Sequence, residues 1–179
     1  IVKIYRKTNG GVGAAVKDGY RFSIKDKNDL TVRIDGDGQM NPKLIKKFVI
    51  PIARNKAEFT KGNRFKDLSF FKVMPYPRII GNIFFSLFGN IITRNFKIFD
   101  FLNGFTCISN KSLRKVLKKK LDNDYYFDTA LVCNLSNLGV KILDIKMRAV
   151  YENEKSSINI FSTGFTILFK NIIFLFKNF

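Results

Sequence analysis

Two carboxylates, Asp35 and Asp37, stand one residue apart directly after an apolar run, in the stretch Asp35-Gly36-Asp37-Gly38-Gln39. In extended or turn geometry, residues i and i+2 point the same way. Like charges held together are costly unless positive charge lies between them. A hard divalent cation bound through oxygen is the natural occupant. Such an ion bridges the diphosphate of a nucleotide and neutralises charge on a leaving group. Gly36 and Gly38 let the backbone turn sharply and let a bulky ligand approach, and Gln39 adds a neutral oxygen. The competing reading is a solvated Asp/Gly turn. The full Asp-x-Asp-x-Gln pattern, after a strand and before a capped helix, favours the metal site.

Other segments carry weaker chemistry. Lys61-Gly62-Asn63-Arg64 sets two cations around a glycine after a predicted strand, and arginine grips phosphate oxygens bidentately; an ordinary basic turn reads the same way. Asp100 with Asn103-Gly104-Phe105 is an acidic turn with a glycine beside an aromatic ring. It suits sugar hydroxyls as well as it suits a plain turn. Asn9-Gly10-Gly11-Val12-Gly13 fits neither the dinucleotide fingerprint nor the Walker pattern and reads as a structural turn near the nucleotide. Lys111, Arg114, Lys115, Lys118, Lys119 and Lys120 form a basic helix face, either solvated or suited to anionic lipid headgroups.

Composition bounds these readings. The 179 residues suit one domain with a sizeable core. The net charge of +18 favours anionic partners: nucleic acid, acidic lipid or phosphorylated substrates. The absence of histidine excludes His triads, His metal sites and His general bases. Cys107 and Cys133 are far apart with no zinc or disulfide spacing and read as small buried residues.

The elements that must position these residues alternate between strand and helix, which implies an α/β layer fold. A short strand is expected over Ile1 to Tyr5, a helix over Val12 to Lys25 and a strand over Leu30 to Ile34. Asn41-Pro42 opens a further helix that Pro51 should end or kink. Ala57 to Thr60 reads as a strand, and Arg78 to Arg94 as a core helix or one lying at a bilayer surface. Helices follow over Ser109 to Leu121 and Tyr126 to Leu138, the latter stopped at Gly139, and then a strand over Val140 to Val150. Ile158 to Phe179 is apolar, with Lys170 and Lys177 as its only charges. Ligands in such sheets bind at the carboxyl ends of strands. Asp35 and Arg64 both follow predicted strands and can therefore converge.

Six segments, "NGGVGAAVKDGY", "IDGDGQMNP", "KGNRF", "MPYPRIIGN", "NGF" and "YENEKSSI", occur in an order that resembles family-2 glycosyltransferases. The subgroup it looks like contains the dolichyl-phosphate mannosyltransferases and bacterial polyprenyl-phosphate relatives. The resemblance covers roughly Val2 to Ile160. It implies a GT-A fold, a Rossmann-like mixed α/β sheet flanked by helices, and an inverting mechanism. It also implies that Asp35, Asp37 and Gln39 hold Mg²⁺ or Mn²⁺ and the donor diphosphate. Arg64 then contacts phosphate of the donor or of the lipid acceptor, and Arg78 faces the lipid phosphate. Asp100, Asn103 and Gly104 line the donor-sugar and acceptor region. Asp128 falls where relatives often carry an acidic residue, and Asp100 and Asp128 are the candidate catalytic acids.

Family members begin with a strand and a Pro-x-Tyr-Asn-Glu type segment that binds the base. Neither is present here, so the expectation is an N-terminally truncated GT-A domain over 1–160 and an apolar segment over 161–179, a possible start of a membrane anchor. The expected partners are a UDP- or GDP-linked sugar, a lipid-phosphate acceptor and an anionic membrane surface at its cytoplasmic face, with no nucleic acid. Two rival readings are a non-catalytic basic module that binds membrane or nucleic acid, and a nucleotidyltransferase. The first leaves the paired carboxylates unexplained, and the second leaves the NGF and EKSSI segments without a role.

Overall fold

The computed structural model describes residues 2–150 and 160–177; the YENEKSSI segment at 151–158 lies outside them. Strands β1 (Leu30–Arg33), β2 (Phe59–Asn63), β3 (Thr106–Ser109) and β4 (Ile142–Lys146) form one mixed sheet in the order β1-β3-β2-β4. β3 runs antiparallel to β1 and β2, while β2 and β4 are parallel. Strands β1, β2 and β4 therefore share one direction. Their carboxyl ends gather at one end of the sheet, beside the start of β3. The register fixes this, because Thr106 at the start of β3 lies opposite both Arg33 and Lys61.

Seven helices flank the sheet among the described residues: α1 (Val12–Lys25), α2 (Ile45–Ala53), α3 (Phe70–Val73), α4 (Tyr76–Thr93), α5 (Asn110–Val116), α6 (Phe127–Asn137) and α7 (Ile160–Lys177). Successive strand residues point to opposite faces. Phe59 and Ile108 thus join Tyr20 of α1, Leu113 of α5 and Leu131 of α6 in the larger core. Phe105 and Cys107 join Phe48 and Ile52 of α2 on the other face. There the rings of Phe48 and Phe105 stack 4.0 Å apart. Both cysteines are free and buried, and burial pushes each thiol up to about 12.

Several elements differ from expectation. Residues 2–5 are exposed and form no strand, since no described strand offers them a ladder. The second helix continues through Pro51 and ends two residues later at Ala53. Strand β2 begins at Phe59 and extends to Asn63 with every residue buried, so Lys61-Gly62-Asn63 lies inside the sheet instead of in a turn after it. The strand expected over Val140 to Val150 is confined to β4, the part that pairs with β2. Helix α5 is shorter than expected, capped by Ser109, whose Oγ accepts from the Ser112 N–H. Helix α1 spans its expected residues, and α6 is followed by Gly139 at φ 68°.

Helix α4 has Pro77 in its first turn, where a missing N–H costs nothing. Helix α7 lies against α4. Ile167 enters the main core, and the buried Asn171 accepts a 2.9 Å hydrogen bond from the Tyr126 hydroxyl. Lys170 reaches Asp122 and Asp124 at 2.6 Å each. No described helix is long and apolar enough to cross a membrane.

Two glycines test this packing with the same substitution. A Cβ at Gly89 of α4 would sit 2.7 Å from the Phe101 ring, whereas one at Gly19 of α1 would meet nothing within 4 Å. Gly89→Ala should lower stability by about 1–3 kcal/mol, and Gly19→Ala should raise it by about 0.5–1 kcal/mol through helix propensity. Urea denaturation of both variants against the parent chain checks the pair.

Candidate functional site

The Asp35–Gln39 turn is held between β1 and α2. Asp35 is half-buried; Asp37 is exposed, and its Oδ1 accepts the Gln39 N–H at 3.0 Å. Gly38 takes φ 76°, which only glycine adopts without strain. Downstream, the Asn41 side chain accepts the Lys43 N–H at 3.0 Å and caps the turn that leads into α2. The carboxylates therefore project from a loop whose two ends are both fixed.

Behind this turn lies Arg33, a buried residue that motif reading did not single out. Its Nε donates to Asp35 Oδ1 at 3.0 Å, and an Nη atom donates to Asp128 Oδ1 at 2.5 Å. The guanidinium also stands 5.9 Å from the centre of the Phe127 ring. Burial works against its charge, but Asp128 and Asp35 outweigh burial and raise its pKa. The available signal was spacing: Arg33 lies two positions before Asp35, on the same side of an extended chain. Asp128 comes from the first turn of α6. Burial raises its pKa, partly offset by Arg33, and its side chain retains 12% exposure.

The second constellation centres on Asp100, which is fully buried. It takes a left-handed φ of 58°, a conformation that aspartate tolerates. Its N–H donates to Ser86 Oγ of α4 at 2.9 Å. Its Oδ2 accepts from the Arg64 backbone N–H at 3.0 Å and from Arg64 Nε at 2.8 Å, while Oδ1 accepts from an Arg64 Nη at 2.6 Å. Asn103 Nδ2 adds a bond to Oδ2 at 3.1 Å. Burial alone would raise the Asp100 pKa, but Arg64 and Lys61 hold it down at about 2. A carboxylate so engaged is a poor proton acceptor. Its bonds hold the Arg64 side chain in place.

Lys61 is likewise removed from ligand contact. Its Nζ is buried and donates to the carbonyls of Phe99 at 2.6 Å and Asp100 at 2.7 Å, with Asp144 at 3.8 Å. Burial lowers its pKa against the pull of Asp144 and Asp100. Of the two cations in the basic segment, only Arg64 keeps an accessible head, at 15% side-chain exposure.

Asn103 and Gly104 lie beside the carboxylate turn. The Asn103 Oδ1 accepts the Phe105 N–H at 3.0 Å, and a Cβ at Gly104 would fall 2.5 Å from Asp35 Oδ2 and 2.8 Å from an Arg33 Nη. Gly104 is thus required by close approach. Gly13 is also a packing glycine, its N–H bonded to the Asn123 carbonyl at 2.8 Å. That sets Gly13 against the loop before α6, while Asn9 and Gly11 stay exposed. Arg78 lies half-buried in the first turn of α4. Asp35, Asp37 and Gln39 carry oxygen atoms on one turn, the donor type that Mg²⁺ or Mn²⁺ takes. Among the described residues no third acidic side chain joins them.

A mixed sheet that presents paired carboxylates at its carboxyl end, covered by helices on both faces, defines a GT-A type α/β domain. Its likeness to the crystal structure of glucosyl-3-phosphoglycerate synthase from Mycobacterium tuberculosis in complex with UDP has a TM-score of 0.64 at 13% identity. It covers 97% of this chain and 57% of that one. The sequence profile of glycosyl transferase family 2 matches residues 1–117, and the chain belongs to that family. An uncharacterized protein of Methanocaldococcus jannaschii is 26% identical over 167 residues, 92% of this chain and 68% of that protein. The UDP-N-acetylglucosamine–dolichyl-phosphate N-acetylglucosaminyltransferase of Methanococcus voltae is 32% identical over 121 residues, 68% of this chain and 47% of that protein.

The Asp100–Arg64 pair gives a pH prediction. The folded pKa of about 2 lies below the unfolded value near 3.9. The stabilisation is therefore complete above about pH 4 and is lost as pH falls toward 2, amounting to about 2–3 kcal/mol. Asp100→Asn should remove that acid-dependent step and lower stability at neutral pH by about 3–5 kcal/mol, because it strands buried cations. Urea titrations of both chains at a series of acid pH values measure each effect.

Proposed function

We propose that this chain carries the donor-binding and catalytic part of an inverting, metal-dependent glycosyltransferase. It would move a sugar from a nucleoside-diphosphate sugar to a polyprenyl or dolichyl phosphate, or to a cell-envelope glycan. The observation that carries this reading is the convergence at one end of the sheet. Asp35 and Asp37 follow β1, Arg64 follows β2 under the hold of Asp100, and Gly104 closes against Asp35. The lipid-phosphate acceptor is drawn from the Methanococcus voltae relative. The nucleotide is drawn from that relative and from the UDP complex. A cytoplasmic membrane face as the place of action belongs to the same proposal.

In this reading, Asp35, Asp37 and Gln39 hold Mg²⁺ or Mn²⁺, which supplies charge neutralisation on the donor diphosphate. Arg64 binds a phosphate oxygen with donors already aligned by Asp100. Arg78 meets the acceptor phosphate, and Asn103-Gly104 lines the sugar side. The acceptor oxygen attacks the anomeric carbon on the face opposite the diphosphate. The new C–O bond forms as the old one breaks, and the nucleoside diphosphate leaves with the electron pair. A lipid monophosphate is largely ionised near neutrality, its second pKa being about 6, and it attacks without a base. A sugar hydroxyl must lose a proton, and Asp128 is the group proposed to take it.

Titration of a UDP- or GDP-linked sugar by calorimetry, with and without Mn²⁺, tests the donor site. Binding should require the metal and weaken roughly tenfold or more in Asp37→Ala, given the loss of one of two charged ligands. Metal-independent binding, or an unchanged Asp37→Ala, removes the carboxylate turn from the donor site. Asp128→Asn separates the acceptors. Transfer to a lipid phosphate should persist and rise with ionisation near pH ~6, whereas transfer to a hydroxyl acceptor should fall by roughly 10²–10⁴-fold.

A further inference from the structure

Arg33 is turned inward. It occupies the last position of β1, and its side chain is 6% exposed. The guanidinium edge formed by Nε and Nη2 faces Asp35, with bonds of 3.0 Å to Oδ1 and 3.4 Å to Oδ2. Nη1, on the other side of the group, donates to Asp128 Oδ1 at 2.5 Å. The centre of the Phe127 ring lies 5.9 Å from the guanidinium carbon, and a Cβ at Gly104 would fall 2.8 Å from Nη2. An arginine held on these sides serves the acids beside it and does not reach for a phosphate.

The two acids are held unequally. Asp35 has the longer bonds to Arg33 and 34% side-chain exposure; Asp128 has the shorter bond and 12%. They also act on each other through their charges. A hard divalent ion gathers carboxylate oxygens, but an ion that serves phosphates takes only one or two carboxylates and leaves its other positions to phosphate oxygens and water. A third carboxylate would displace one of these. It would also engage the oxygen that a proton acceptor must keep open. Arginine does not lose its proton in a protein. Arg33 is therefore a permanent positive charge set between Asp35 and Asp128.

We infer that Arg33 is an insulating residue: it keeps Asp128 off the divalent ion, so that the ion takes Asp35 and Asp37 while Asp128 remains an unligated acid. The inference rests on the metal-site reading of the Asp35–Gln39 turn and says which acids at this end of the sheet belong to that site. The acid bonded most tightly to Arg33 is the one withheld from the ion. The acid bonded more loosely, and more exposed, is the one offered to it. Arg33 thus acts through its neighbours, as a positioning residue.

Mn²⁺ binding to the full chain tests this, with free ion read by electron paramagnetic resonance and water on the bound ion by proton relaxation. Asp128→Asn alone should leave the affinity within about twofold of the parent. Arg33→Gln should bind Mn²⁺ roughly tenfold or more tightly, with fewer waters on the ion, as the freed acid joins it. Arg33→Gln/Asp128→Asn should return to the parent's affinity. The two substitutions are then coupled, whereas charge acting at long range would leave their effects additive. The inference is overturned if Asp128→Asn alone weakens Mn²⁺ binding as Asp37→Ala does, since Asp128 is then a ligand in the parent. It is also overturned if Arg33→Gln binds no more tightly, or if the two effects add. Where Arg33→Gln alone fails to fold by circular dichroism, the other two variants still decide, because a loss of Mn²⁺ binding in either contradicts insulation. Mn²⁺ binding that is lost in Asp37→Ala but indifferent to Arg33→Gln removes this inference alone. Absence of Mn²⁺ binding in both the parent and Arg33→Gln removes the metal-site reading as well.

Discussion

The ion pair between Asp100 and Arg64 is the constraint on which the functional end of the sheet depends. An ionised carboxylate taken out of water is tolerable only when opposite charge and hydrogen bonds replace its hydration. Arg64 supplies three bonds and Asn103 a fourth, and Lys61 grips the Asp100 carbonyl from beneath. Because the pair is buried, its geometry is fixed. The Arg64 head cannot wander from the carboxyl end of β2, and the Asn103-Gly104 turn cannot leave the start of β3. Serine 86 extends the same hold into α4.

A second arginine organises the other half of the site by the same physics. Arg33 stands behind the carboxylate turn with one carboxylate on each side, Asp35 and Asp128. It joins β1 to the first turn of α6, so residues 95 positions apart in sequence share one charge. Asp35 is thereby oriented from its inner side, and Asp37 remains at the surface with its carboxylate fixed by the Gln39 N–H. A chain of net charge +18 thus concentrates paired acids at one end of its sheet, each oriented by a specific donor. A diffuse basic surface for polyanions would need no such arrangement.

The helices that carry this site also account for the amount of phenylalanine at the surface. Helix α4 faces the sheet end with small and polar residues because it must supply Ser86 and accept close packing at Gly89. Ile79 and Ile92 are also buried, while Ile80, Phe84, Leu87 and Ile91 are exposed, and α7 lies alongside.

Local signals carried much of this molecule. The capped and periodic segments determined α1, α6 and the turn at Asn41-Pro42, because helix periodicity and end signals act within a few residues. The spacing of Asp35 and Asp37 after a strand, with the ordered family motifs, determined the fold class and the place of the carboxylate turn. What remained hidden depended on contacts across the chain. Lys61 and Arg64 read alike as basic residues, yet strand β2 runs far enough to bury Lys61 fully, while Arg64, just beyond it, keeps 15% side-chain exposure against Asp100. Asp100 and Asp128 read alike as candidate acids, yet one is bonded to Arg64 beyond β2 and the other to Arg33 of β1. Residues 2–5 carry a strand-like pattern, but a strand requires a ladder partner, and the sheet provides none there among the described residues. Sequence by itself determined which groups exist and which short elements carry them. Only the tertiary structure decided which charges meet, because burial and pairing, unlike propensity, belong to residues distant in the chain.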